Sequence, residues 1–203
     1  MFNDPILDFI ARPENLELAL EVSDYVKEIK KKYHKLFWQQ AYQELNERIK
    51  NNAYDSSWIV TPVSENKLFS TYTGCSIRTH ASLNHSNHPW LRASLSQANK
   101  NSQFRLYYGF QWTEKAKEKI SGLDIIRTMA DELAKAGFKD DSWWLGWKWL
   151  SYHIYSKTFL VRMSQNPSLL VKEVIDPFWS EFEKRRVQIE TVNQALSHPT
   201  DND

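Results

Sequence analysis

The chain is poor in several residue types at once, and each scarcity excludes something. One cysteine, Cys75, stands among 203 residues. An intramolecular disulfide is therefore impossible, and a cytoplasmic address is favoured over an oxidising one. The five glycines are scattered, which rules out a P-loop or a dinucleotide cradle, and no cofactor is called for. Neither G-x-S-x-G nor H-E-x-x-H occurs. No apolar run approaches the ~20 residues that span a bilayer, and the acidic start "MFNDPILDFIARPENLELAL" lacks the basic region of a signal peptide. A dominant charge is missing too. Lysine and arginine total 26 against 25 acids, a net +1, so no global field gathers nucleic acid from a distance and an acidic DNA mimic is excluded.

Aromatic residues, by contrast, are abundant. Nine Trp, nine Tyr and ten Phe argue against disorder. Length and composition fit one α+β domain over 1–196 with a disordered tail at 197–203. Asp4 and Pro5 open a short helix, and Pro13 separates it from a long one running from Glu14 to about Asn51. Along that helix Val22, Val26, Ile29, Tyr33 and Leu36 step by three and four, continued by Phe37, Ala41, Leu45 and Ile49. Lysines at 27, 30, 31 and 35 take the opposite side.

The middle of the chain is rich in β-formers, with short polar links such as "SENK" and "QANKNS". It predicts a central antiparallel meander of four to six strands, one face buried. "FRLYYGFQW" is the clearest strand: Phe104, Leu106, Tyr108, Phe110 and Trp112 point one way, Arg105, Tyr107, Gly109 and Gln111 the other. Two helices follow, one capped by Thr113 over "EKAKEKIS" and one ending at Gly137. Pro167 opens the last long helix, in which Ile175, Phe178, Phe182, Arg185, Ile189, Val192 and Leu196 form a heptad-like seam. An antiparallel partner would fill it, and the N-terminal long helix is the obvious one, so the two are expected to pack together.

The densest aromatic stretch is "DDSWWLGWKWL", with Trp143, Trp144, Trp147 and Trp149. As a strand it sets Trp143, Leu145, Trp147 and Trp149 on one face, with Trp144, Gly146 and Lys148 on the other. A base-stacking platform is one use, but it normally accompanies a basic groove, and Asp140 and Asp141 precede this stretch. Filling a sheet–helix interface is the favoured reading, because buried aromatics are the common case.

Three sets of residues could carry chemistry. Cys75, His80, His85 and His88 are potential metal ligands, though their spacing matches no zinc pattern. Asp55, Glu65 and Lys67 follow the order acid, acid, lysine that metal-dependent nucleases use to hold a divalent ion and activate water. The "SENK" link reads more simply as a solvated turn. Arg78, His80, His85, His88, Arg92 and Arg105 lie in or beside strands, where arginines position phosphates and histidines add charge as pH falls. Contact with a weakly bound nucleic acid would run through this polar strand face.

"FWQQAYQELNERI", "FRLYYGFQW" and "SWWLGWKWL" together resemble the C-terminal regions of PD-(D/E)XK nuclease-superfamily proteins of bacteria and phages. The likeness covers roughly Pro5 to Leu196 and rests on aromatic, structural motifs. In that family the metal-binding core precedes these elements, whereas this chain starts at the equivalent of the linking helix. Catalytic residues are therefore not carried over. The resemblance implies a non-catalytic binding module acting on a protein partner, such as a nuclease-like protein, or on nucleic acid. A setting in defence or counter-defence follows by association. The alternative from another class is a small nuclease built on Asp55, Glu65 and Lys67.

Overall fold

The computed structural model describes residues 4–52, 54, 57–83, 89–99, 103–114 and 123–197. Helix α1 (Pro5–Ile10) is capped as its sequence demands, with the Asp4 carboxylate accepting from the Ile6 N–H at 2.9 Å. Helix α2 runs unbroken over Pro13–Asn51. Its C-terminal half buries Phe37, Ala41, Leu45 and Ile49, the series that steps by four.

Five strands follow: β1 (Trp58–Thr61), β2 (Thr73–Thr79), β3 (Leu91–Ala98), β4 (Arg105–Trp112) and β5 (Trp144–His153). They form one antiparallel sheet in the order β1-β2-β3-β4-β5. Between β4 and β5 lies α3 (Asp124–Lys135), followed by Gly137 at φ +80°, the left-handed stop that glycine supplies. After β5 come α4 (Lys157–Gln165) and α5 (Pro167–Ser197). The fold is thus α+β, a meander flanked by long terminal helices. The helix expected over "EKAKEKIS" and the tail beyond Ser197 fall outside the described residues.

Register fixes the two faces. Val60, Ile77, Ala93, Phe110 and Gly146 make one row across the sheet, and Cys75, Leu95, Tyr108 and Lys148 the next. Most of these residues are buried against α2, α3 and α5. Pairing this many apolar side chains with helices supplies the main driving force for the fold.

The seam of α5 corrects one expectation. The long helices do pack together, but the sheet shares the seam: Phe178 packs on Tyr108, Phe182 packs on Trp58, and the Asn193 amide bonds both backbone groups of Leu91, at 2.8 and 3.0 Å. Helix α2 packs beside it, yet its contacts climb both helices together. Arg48 meets Asp176 at 2.6 Å and lies over Trp179, and Tyr54 farther along meets Glu183. Where they cross, α2 and α5 therefore run in the same sense, not antiparallel. A heptad pattern specifies an apolar stripe, and a sheet accepts that stripe as well as a helix does.

The tryptophan segment corrects another. It is a strand, but it breaks strict alternation. Gln111 pairs with Trp144 while Phe110 pairs with Gly146, which leaves Leu145 as the extra residue of a bulge. The bulge puts Trp144 in phase with Trp147 and Trp149 and leaves Trp143 exposed. The three indoles lie on the face opposite the helices, where they cluster with Tyr107 and Ala98 apart from the main core. Gly146 occupies the helix side because Leu133 and Phe138 leave no space there: a Cβ would come within 2.9 Å of Leu133 Cδ1.

Candidate nucleic-acid interface

No described helix packs on the outer face of the sheet, whose rows can be read from the register. Arg78 on β2 opposes Ile59, while Arg92, Gln111 and Trp144 continue across β3, β4 and β5. The next row holds Thr61, Ser76, Ser94, Gly109 and Trp147; the third holds Gly74, Ser96, Tyr107 and Trp149. Indoles thus stand on the β5 side and guanidinium groups on β2 and β3. Between them lie small residues, Gly74, Ser76, Ser94, Ser96 and Gly109, of which all but Gly74 are buried. β3 lies two strand spacings, about 10 Å, from β5.

The aromatic wall is preorganised. Tyr107 makes edge contacts with Trp144, Trp147 and Trp149 at centroid distances of 5.3, 5.9 and 5.2 Å. Trp147 and Trp149 meet edge-on at 5.2 Å. Edge-to-face geometry suits the ring quadrupoles and holds each indole at a defined tilt. Tyr107 and Trp144 are buried, whereas Trp147 and Trp149 keep partly open surface. Arg105 lies 4.7 Å from the centre of the Trp149 ring, held there by its Nε–H bond to the Leu150 carbonyl. The Tyr107 phenol is pushed far above its ordinary pKa by burial, and the nearby Tyr72 and Asp141 act in the same direction. Tyr72 itself is 78% exposed and holds a left-handed backbone at φ 63°, a conformation costly for a residue with a Cβ.

The cationic side is unusual in what it lacks. Burial lowers the Arg92 pKa, and the nearby Arg78 charge lowers it further. Arg92 donates to the Gln111 side-chain oxygen at 2.9 Å, which also accepts from Ser94. Among the described residues no carboxylate forms an ion pair with Arg78, Arg92 or Arg105. Nε of both Arg78 and Arg92 is buried without a hydrogen-bond partner there. Two like charges on one face, with no described carboxylate paired to them, are the kind of group that a phosphate neutralises.

The other sequence candidates are not drawn together. Cys75 faces the core, where burial pushes its thiol up to about 12 and leaves it inert. His80 sits beyond the far end of the same strand, about 16 Å away at 3.3 Å per residue, and its N–H bonds the Ser57 carbonyl. His85 and His88 lie outside the described residues. Among the described residues no three His, Cys, Asp or Glu are placed to share a metal. Glu65 and Lys67 share a single 3-10 turn, where Glu65 faces Lys35 at 3.6 Å with its side chain 89% exposed. Asp55 also lies outside the described residues. No described helix is long and apolar enough to cross a membrane.

The alternation of β4 gave Arg105 its correct face, but the tryptophans escaped the reading. The signal that could have found them was Gly146, since a core packed that tightly against a strand leaves no room for indoles on the same side. No family model, curated protein or solved structure matches this chain.

Proposed function

We propose that this chain is a non-catalytic module that binds single-stranded nucleic acid along the helix-free face of its sheet, at the partly exposed indoles and arginines. One observation carries the reading: Trp147 and Trp149 share a helix-free face with Arg78, Arg92 and Arg105, and no described carboxylate pairs with those arginines. Bases stack on partly exposed indoles irrespective of sequence, and arginines take the phosphates. A duplex would be a poor ligand, because its bases are already stacked.

The scarcity of cysteine supports a cytoplasmic setting, and the resemblance to C-terminal regions of nuclease-superfamily proteins supports work beside a nuclease-like partner in defence or counter-defence. Net charge of +1 predicts modest affinity. The test is fluorescence anisotropy with labelled single-stranded DNA and RNA oligonucleotides over a salt series. Three phosphate contacts on a single strand give a slope of about −2 in log K against log salt. Replacing Trp147 and Trp149 together with alanine removes stacking of ~1–3 kcal/mol per base, at least ~2 kcal/mol for the two, and weakens binding at least ~30-fold. Replacing Arg78, Arg92 and Arg105 with alanine flattens the salt dependence. Absence of binding at low salt, or binding unmoved by both sets of substitutions, overturns the proposal. Incubation with magnesium or manganese and a Glu65→Ala control decides the nuclease alternative in the same experiment.

A further inference from the structure

The N-terminal arm poses a separate problem. Nothing in α1 is buried, and the first buried residue of α2 is His34. The twenty-odd residues before it extend for about 30 Å at 1.5 Å per residue. Leu18, Val22, Tyr25, Val26 and Ile29 are exposed by 64, 52, 68, 42 and 47%. Their spacing places them on one side of the helix, continuous with Tyr33 and Leu36, which pack on the core. An apolar stripe of this length in water marks an interface.

The charges say what covers it. The outer half of the arm carries Glu14, Glu17, Glu21 and Asp24; the inner half carries Lys27, Lys30, Lys31, Lys32 and Lys35, with Glu28 the one acid among them. Only local pairs use these charges within the arm, Lys27 with Asp24 at 2.8 Å and Lys31 with Glu28 at 2.7 Å, while Lys35 reaches Glu65. A helix acidic at one end and basic at the other is complementary to itself when reversed. We infer that the arm pairs antiparallel with the arm of a second copy, forming a twofold dimer in which each acidic half lies along the other's basic half. Parallel pairing would set acid on acid and lysine on lysine. The interface is isologous, crossing near Tyr25, and the apolar stripes form its seam. This inference is independent of what the sheet binds.

Sedimentation equilibrium of the full chain over a range of concentrations tests it. The expected species has twice the 24.0 kDa chain mass and dissociates on dilution. Val22→Glu with Ile29→Glu, on the exposed side of a helix, leaves the circular dichroism of the body intact and gives monomer. Charge variants read the pairing itself. A chain with Glu14, Glu17 and Glu21 changed to Lys is monomeric, as is one with Lys30, Lys31 and Lys35 changed to Glu; mixing the two restores a dimer. Orientation is read by cysteine. Tyr25→Cys cross-links between copies under oxidation and Leu18→Cys does not, with buried Cys75 silent in both. A chain monomeric at every concentration, charge variants that each dimerise as the native chain does, or a Leu18→Cys cross-link overturns the inference.

Discussion

His34 shows how much one side chain decides. Its ring is fully buried between Phe69, Phe104 and Tyr155. Nε2 lies 2.6 Å from the Gln97 side-chain oxygen, which also accepts from the Trp38 indole N–H at 2.8 Å. That oxygen has no proton to give, so Nε2 carries one, and Nδ1 accepts from the Tyr155 hydroxyl at 3.2 Å. The Gln97 amide completes the set by donating to the carbonyls of Leu68 and Ser70. The imidazole is neutral with both nitrogens satisfied, and burial lowers its pKa to about 4 against the opposing hydrogen bond that it donates to Gln97. On acidification the unfolded chain takes up its proton first, near 6.5. Stability contributed by this residue is full above 6.5 and is lost between there and about 4, some 3 kcal/mol in all. Urea titrations from neutral pH to about pH 4 check this: His34→Asn removes that part of the decline, and an undiminished slope in the variant refutes the assignment. The residue is hard to see in "KKKYHKLFW", where lysines suggest a solvated face. Its spacing of four from Trp38 and seven from Ala41 is the signal that places it inward.

At the scale of elements, the close approach of β4 and β5 holds the aromatic wall in place. A Cβ on Gly109 would sit 2.0 Å from the Gly146 carbonyl oxygen and 2.7 Å from Trp147 Cα. These are backbone atoms of the neighbouring strand and cannot yield without separating the pair. Gly109→Ala is expected to cost about 2 kcal/mol or more and to shift tryptophan emission as the Trp147 and Trp149 packing loosens. Gly137→Ala meets only Lys148 Nζ at 3.8 Å and costs about 1 kcal/mol, from its positive φ alone. Equal effects of the two substitutions, by chemical denaturation and emission spectra, would count against the close-approach argument. Elements were legible wherever period and punctuation agreed: Asp4-Pro5, Pro13, Gly137 and Pro167 each mark a boundary the structure keeps. The faces of β4 were legible for the same reason. Alternation separated Trp147 and Trp149 from Gly146 and Lys148, but it could not supply which side looks inward, nor the phase of Trp144, which one bulged residue shifts. The arginine face could be read from the strands, while for the indoles Gly146 alone marked the side of β5 that they avoid. The sense in which α2 meets α5 could not be read, since an apolar stripe carries no direction.

The whole molecule divides into a packed body and a projecting arm, and stability should divide the same way. No residue before Lys30, which lies over the Tyr155 ring, touches the body through a described side-chain contact, so deleting residues 1–29 should leave the unfolding free energy of the body within about 0.5 kcal/mol when both forms are dilute enough to be monomeric. A larger loss would mean that the arm supports the core. The sheet, too, has a boundary with consequences beyond binding. β1 is four residues long, while β5, at the opposite margin, is ten and rich in tryptophan. An open margin of that composition invites a further strand, and with it growth into fibres. Lys139 stands against Trp147 there, giving its N–H to the Trp147 carbonyl at 2.9 Å and taking the Trp147 N–H at 2.7 Å. The chain leaving α3 thus occupies the middle of that margin before any stranger can, and it does so with a lysine, whose charge repels an identical edge. The turn that ends a helix also ends the sheet, and closes the middle of its tryptophan-rich margin to a further strand.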